Sequence, residues 1–223
     1  MEHSIRTFHA RRGRLGPRAA SALQDLLPRY GLDPMGPPLD FDDEFPGPLP
    51  VVVEFGSGMG EATAAMAKAE PGVGIIAVEV HTPGVSSLLR RIETERLDNV
   101  RVVHGDGIAL LDRRIPAGSL AGFRSFFPDP WPKARHHKRR LIRSELVRLI
   151  ASRLQTGATL HVATDWDDYA EQMLAVLAAE PMLSVHRDTS IPRPLDRPVT
   201  RFERKGLEQG HTVHDIVAVR VAA

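Results

Sequence analysis

Short apolar runs and amphipathic stretches alternate along most of this 223-residue chain. Val51–Phe55 is an apolar run ended by glycines, which predicts a buried strand entering a turn. Gly74–Val80, Val100–His104, Gly122–Phe127 and Ala158–Thr164 repeat that pattern, and Leu183–Arg187 and Val213–Val221 complete a series of seven strands. Between them, alanine-rich Met59–Ala69 and the stretches Val85–Leu97, Arg139–Leu154 and Asp167–Ala179 read as helices. In Arg139–Leu154 the apolar positions Leu141, Ile142, Leu146, Leu149 and Ile150 follow a 3.6-residue period. Strands alternating with helices imply parallel βαβ units, an α/β fold with helices on both faces of one sheet. In such a sheet, ligands sit beyond the carboxyl ends of the strands.

The first 27 residues break the pattern. They are polar and basic, with a short helix expected over Arg18–Leu27. Seven prolines then fall between Pro28 and Pro50, and so many missing backbone donors predict an irregular linker. The organisation expected is a basic arm and Pro-rich linker over 1–49, followed by a single domain over 50–223. No apolar run reaches the ~20 residues of a membrane span, and Met1–Arg6 is polar, so a cytoplasmic protein without membrane contact is expected.

Composition excludes several chemistries. The chain has no cysteine, so disulfides, thiolate zinc sites, Cys-held iron–sulfur clusters and cysteine nucleophiles are ruled out. The net charge of +1 conceals a segregation. Residues 1–20, 131–143 and 193–205 together hold 16 of the 29 basic residues and 3 of the 28 acidic ones. Such clustering suits a polyanion met on one face.

The strand ends carry the candidate chemistry. The first strand runs into Glu54-Phe55-Gly56-Ser57-Gly58-Met59-Gly60-Glu61. Gly56, Gly58 and Gly60 permit a tight turn and close backbone approach to a ligand. A dinucleotide fingerprint would need the spacing G-x-G-x-x-G, and position 61 is glutamate. An acid before the turn suits a ligand with an amino group and no phosphate, such as S-adenosylmethionine. Glu79 ends the second strand, placed to accept ribose hydroxyls, and Asp106 follows the third, placed to accept from an adenine amine. Their neighbours Val80 and Gly107 join the expected cofactor set. After the fourth strand comes Phe126-Phe127-Pro128-Asp129-Pro130-Trp131-Pro132-Lys133. Two prolines fix φ on either side of Asp129, and a rigid acid beside an aromatic ring can grip a planar base.

The run Phe126–Arg140 closely resembles the signature of the tRNA (guanine-N7)-methyltransferase family. So do Glu79–Gly84, Ala163-Thr164-Asp165-Trp166, Pro198–Glu203, and Arg6-Thr7-Phe8 with Arg12-Gly13-Arg14. The resemblance spans nearly the whole chain except Gly31–Pro48. It implies a Rossmann-like class I methyltransferase fold, with a mostly parallel seven-stranded sheet and an antiparallel final strand. It implies S-adenosylmethionine bound at Glu54, Glu79, Asp106 and Asp129, with Asp129 also catalytic. It places Lys133, Asp165, Thr200, Arg201, Phe202 and Glu203 at substrate positions, and Arg135, His136, His137, Lys138, Arg139 and Arg140 in the RNA-contacting segment. The implied target is the guanine at tRNA position 46, in the variable loop, with no DNA and no obligatory protein partner. Pro132 departs from the pattern, where a histidine or another polar residue is expected.

Three rival readings differ in class. A nicotinamide-dependent dehydrogenase is disfavoured by the glycine spacing. An amino-methyltransferase is suggested by the Asp-Pro-Trp turn and is separable by product analysis. A non-catalytic RNA-binding protein would leave the acid series unexplained. No metal is expected: the adjacent His136 and His137 lie among cations, and Asp165, Asp167 and Asp168 read as substrate contact and helix cap.

Overall fold

A computed structural model of the protein describes residues 16–186 and 197–222. The arm motifs at Arg6–Phe8 and Arg12–Arg14 lie outside the described residues. The elements in chain order are α1 (Pro17–Tyr30), α2 (Phe41–Glu44), β1 (Val51–Phe55), α3 (Glu61–Ala69), β2 (Gly74–Glu79), α4 (Thr82–Glu95) and β3 (Val100–His104). They continue with α5 (Gly107–Arg113), β4 (Leu120–Phe126), a 3₁₀ helix (Ala134–Arg139), α6 (Ser144–Arg153), β5 (Leu154–Thr164), α7 (Asp167–Ala178), β6 (Leu183–His186), α8 (Arg201–Glu208) and β7 (His214–Arg220).

All seven strands form one sheet in the order β3-β2-β1-β4-β5-β7-β6. Pairings from β3 to β5 are parallel, and β7 runs antiparallel between β5 and β6. The strand order reverses at β1, which pairs with β2 on one side and β4 on the other. That reversal opens the crevice where ligands bind in such sheets. The central strands are mostly apolar because helices cover both faces: every residue of β1 and β2 is buried, the acids Glu54 and Glu79 near their carboxyl ends included. One apolar cluster joins α5, α6 and α7 to one face, and a second joins α3 and α4 to the other.

The expected helix over Arg139–Leu154 resolves into two pieces. The 3₁₀ helix ends at Arg139, Arg140 turns extended (φ −58°, ψ 139°), and α6 starts at Ser144. The 3.6-residue spacing is real only from Ser144 onward, because Leu141 and Ile142 lie in the non-helical connection before α6. Helices α5 and α8 were not anticipated. Each is short and opened by a capping side chain, Asp106 for α5 and Thr200 for α8.

Helix α1 runs through Pro28 to Tyr30, past the expected end at Leu27, so the Pro-rich stretch is irregular only beyond it and apart from α2, yet it is packed on the domain. Leu32, Leu39 and Phe45 are buried in the core, and Leu32 N–H donates to the Val102 carbonyl at 2.8 Å. Arg114, itself buried, donates to the carbonyls of Pro37 and Asp33 at 2.6 Å each. One guanidinium thus replaces the backbone partners that the prolines cannot supply. Among the described residues, no helix is long and apolar enough to cross a membrane.

Candidate active site

The turn after β1 adopts left-handed backbone at three places: Gly56 (φ 82°), Gly58 (φ 56°) and Gly60 (φ 77°). A β-carbon at Gly56 or Gly58 would meet nothing within 4 Å, so both present backbone to open space. The start of α4 lies hard against this turn, since a β-carbon at Gly84 would fall 2.3 Å from the Gly58 carbonyl oxygen. Glu79 fastens the arrangement. Its Oε2 accepts from Gly58 N–H, and its Oε1 accepts from Val80 N–H and His81 N–H, all at 2.8 Å. One carboxylate therefore ties the turn after β1 to the turn after β2.

Glu54 is only 3% exposed and accepts from Thr63 Oγ1 on α3 at 2.7 Å. Burial raises its carboxyl above the ordinary carboxylate range, a shift that Thr63 and the Arg124 charge only partly oppose. Asp106 is exposed and caps α5, accepting from Ile108 N–H at 2.9 Å. Gly107 is buried, and a β-carbon there would lie 2.3 Å from the Phe55 ring. Its glycine is required by packing against the end of β1, and this seats Asp106 beside the glycine turn.

The loop after β4 is strained. Phe127 (φ 53°) and Trp131 (φ 46°) are bulky residues in left-handed backbone, and each precedes a proline. Between them Asp129 is exposed. The Phe127 N–H donates to the Ala163 carbonyl at 2.7 Å, so the loop leaves the sheet beside the end of β5. Arg139 stacks on the Trp131 ring at 4.7 Å, and His136 meets that ring edge-on at 5.9 Å. Lys133, Arg135 and Lys138 are exposed alongside. Partial desolvation, then the charges of Arg135, Arg139, Lys133 and Lys138, push the His136 imidazolium below its ordinary value. His137 lies 3.6 Å from Asp168.

Arg140 departs from its expected place in the RNA-contacting segment. It is buried, and its donors are engaged by Pro130, Gln172 and Asp168 inside the protein. Asp168 accordingly serves as that partner, and α7 has no side-chain cap.

After β5, Asp165 is half-buried, with Oδ2 3.2 Å from His211 Nδ1 and the backbone of Gly206 packed closely against it. Thr200 and Glu203 form a reciprocal capping box at the start of α8, which turns both inward. Arg201 and Phe202 remain outward, Phe202 at 65% exposure. Glu203 is also held by Arg197, a buried residue whose guanidinium lies over Phe126 and Phe127 at 5.5 and 5.6 Å. Arg197, Asp215, His161 and His211 were not singled out from the sequence. Arg197 stood inside a run counted for its positive charge, and the other three carry no local pattern.

Glu54, Glu79, Asp106, Asp129 and Asp165 thus stand at or just beyond the carboxyl ends of five neighbouring parallel strands. Among the described residues, no group of three or more His, Asp or Glu side chains is gathered as a metal set would be.

Solved structures share this architecture. The 16S rRNA methyltransferase KamB aligns with a TM-score of 0.58 at 15% identity, covering 82% of this chain and 93% of that one. An S-adenosylmethionine-dependent O-methyltransferase from Thermotoga maritima aligns at 0.53 and 16% identity, covering 82% and 63%. Likeness at that identity concerns the fold alone. Residues 48–216 match the family model Methyltransf_4, described as "Putative methyltransferase". The tRNA (guanine-N(7)-)-methyltransferase of Streptomyces avermitilis is 52% identical over 99% of this chain and 77% of its own length. Its counterpart in Nitrosospira multiformis is 48% identical over 97% and 96%. With identity of this depth across both chains, the protein belongs to the tRNA (guanine-N(7)-)-methyltransferase family.

Proposed function

We propose that the protein methylates N7 of guanine in tRNA, at position 46 of the variable loop, with S-adenosylmethionine as donor. The observation that carries this reading is the meeting, after β4, of an exposed aspartate in a strained loop with an exposed cationic 3₁₀ helix. The names of relatives matched along nearly the full chain support the same reaction.

The residues present fit the donor. Gly56 and Gly58 offer open backbone for a close approach. Glu79 has three of its roughly four acceptor positions filled, which leaves one for a ribose hydroxyl. Asp106 keeps its second carboxylate oxygen for an adenine amine, with Val80 and Gly107 as neighbouring backbone. Glu54, below the glycine turn in sequence, supplies buried negative potential toward the amino end. When bound, S-adenosylmethionine supplies an electrophilic methyl group on a sulfonium.

Guanine N7 has a lone pair and no proton, so no base is required there. Asp129 accepts from the Watson–Crick edge of guanine and offsets the positive charge that grows on the ring as N7 is alkylated, an electrostatic role realised in the transition state. Asp165 assists from the end of β5, and Thr200, Arg201, Phe202 and Glu203 border the same place. Lys133, Arg135, His136, Lys138 and Arg139 follow the phosphate backbone.

The test uses the full-length protein, labelled S-adenosylmethionine and an unmodified tRNA transcript, beside a transcript with adenine at position 46. 7-Methylguanosine formed only on the guanine transcript supports the proposal in full. Label on a different nucleoside, or undiminished label on the adenine transcript, refutes the base or the position respectively.

A further inference from the structure

Arg140 lies in the most basic run of the chain and is 1% exposed. Its Nε donates to the Pro130 carbonyl, Nη1 to Gln172 Oε1 and Nη2 to both oxygens of Asp168, each at 2.8 Å. The guanidinium also stacks on Tyr169 at 4.7 Å. Tyr169 accepts from Ile142 N–H through its hydroxyl, and Gln172 donates to the Ile142 carbonyl, so the stretch after Arg140 is fastened to the same helix. Every one of these partners except Pro130 belongs to α7 or to Arg140's own segment. The bond to Pro130 is therefore a tie that carries the rigidity of α7 into the loop after β4.

Pro130 adjoins Asp129 on one side and Trp131, with its left-handed φ of 46°, on the other. A strained turn of that kind persists only where its surroundings over-determine it. On the opposite side Arg197 stacks over Phe126 and Phe127, which fixes where the loop begins but does not reach Pro130.

We propose that Arg140 is a positioning residue for Asp129: acting through the Pro130 carbonyl, it sets where the carboxylate stands, and it makes no contact with tRNA. The inference rests on the catalytic reading of Asp129 given above. Lysine cannot substitute, because a single ammonium centre cannot serve a carbonyl, an amide and a carboxylate together in a planar fork.

Three measurements on full-length protein test this. The first needs no activity. In a Trp166→Phe background Trp131 is the sole tryptophan, and Arg140→Lys is expected to raise its acrylamide quenching at least twofold; unchanged quenching overturns the proposal. The second is single-turnover methyl transfer with both substrates saturating, in wild type, Arg140→Lys, Asp129→Asn and the double variant. Arg140→Lys is expected to slow transfer tenfold or more on the wild-type background and less than threefold beside Asp129→Asn. An equal loss on both backgrounds would make Arg140 a general structural support and overturn the proposal. In the same variants the salt dependence of tRNA binding is expected to keep its slope; a slope reduced by about one unit marks a lost phosphate contact and also overturns it. Should Arg140→Lys fail to fold, Asp168→Asn takes its place, with a threefold loss that vanishes beside Asp129→Asn. Absence of transfer in wild type refutes the methyltransferase reading and leaves the quenching result to decide the loop's support.

Discussion

The Arg197 guanidinium and the Asp215 carboxylate meet fork to fork, Nε to Oδ1 at 2.7 Å and Nη2 to Oδ2 at 2.8 Å. Asp215 lies in β7 and also accepts from His161 of β5 at 2.7 Å, while Arg197 continues to Glu203 at the start of α8. Burial would raise the Asp215 carboxyl, but the bonds from His161 and Arg197 outweigh it and hold it below its ordinary value. A carboxyl depressed by folding contributes stability above its unfolded value and loses it as pH falls through its folded one. Asp215→Asn is expected to cost about 3 kcal/mol at pH 7, since a buried guanidinium loses one of its two carboxylate partners and keeps only Glu203. The acid limb of stability against pH should flatten in the variant. Urea unfolding from pH 7 down to pH 3 checks both points; superimposable acid limbs would count against the assignment.

Glu54 predicts the opposite sign. Its folded value is raised by burial, so its contribution is present at acid pH and disappears as pH rises from the ordinary carboxylate range through that raised value. Glutamine keeps an acceptor for Thr63 and removes the buried charge. Glu54→Gln is expected to be more stable than wild type at pH 8 while binding S-adenosylmethionine more weakly, a trade of stability for function. Thermal denaturation paired with calorimetric titration reads the two effects, and a lower melting temperature at pH 8 would defeat the argument.

Gly206 offers a way to move Asp165 without touching it. A β-carbon at Gly206 would stand 2.6 Å from Asp165 Oδ2, the atom that meets His211, so the carboxylate is expected to shift from its present position. Alanine is favoured over glycine in a helix by about 1 kcal/mol, which limits the stability loss. Gly206→Ala is expected to slow methyl transfer at least fivefold with a melting temperature within a few degrees of wild type. Full activity would show that Asp165 has no role from its present position.

The exposed cations of the 3₁₀ helix are expected to act on binding alone. Arg135→Ala and Lys138→Ala should each lower the salt slope of tRNA affinity by roughly one and leave folding stability within about 0.5 kcal/mol. Filter binding over a salt series, with thermal melts in parallel, measures this. A slope unmoved by either change would place the RNA elsewhere.

Much of the fold was open to reading because its signals are local. Three consecutive valines and Phe55 around the single acid Glu54, then alternate glycines, admit few conformations other than a buried strand and a tight turn. The acids after the first four strands occur in register with those runs, so their common edge followed from the parallel order alone. Where the pattern misled, a distant partner intervened. The stretch from Pro28 to Pro50 is short of backbone donors, which the chain itself shows, while the Arg114 guanidinium that donates to its carbonyls comes from about 80 residues away. The spacing of Leu141 and Ile142 matched a helix, yet Arg140 and the backbone of Ile142 are bonded to α7, and that stretch stays outside a helix.

Sequence by itself determined the α/β order, the glycine turn, the acidic strand ends and the basic runs, because each depends on residues within a few positions of one another. Tertiary structure alone decided which charges in those runs meet solvent. Arg139 and Arg140 are neighbours of identical chemistry, one stacked on the rim at Trp131 and the other sealed under the loop. The environment of a charge is set by groups brought near in space. For Arg140 the partners on α7 stand about 30 residues away along the chain, beyond the range of any local pattern.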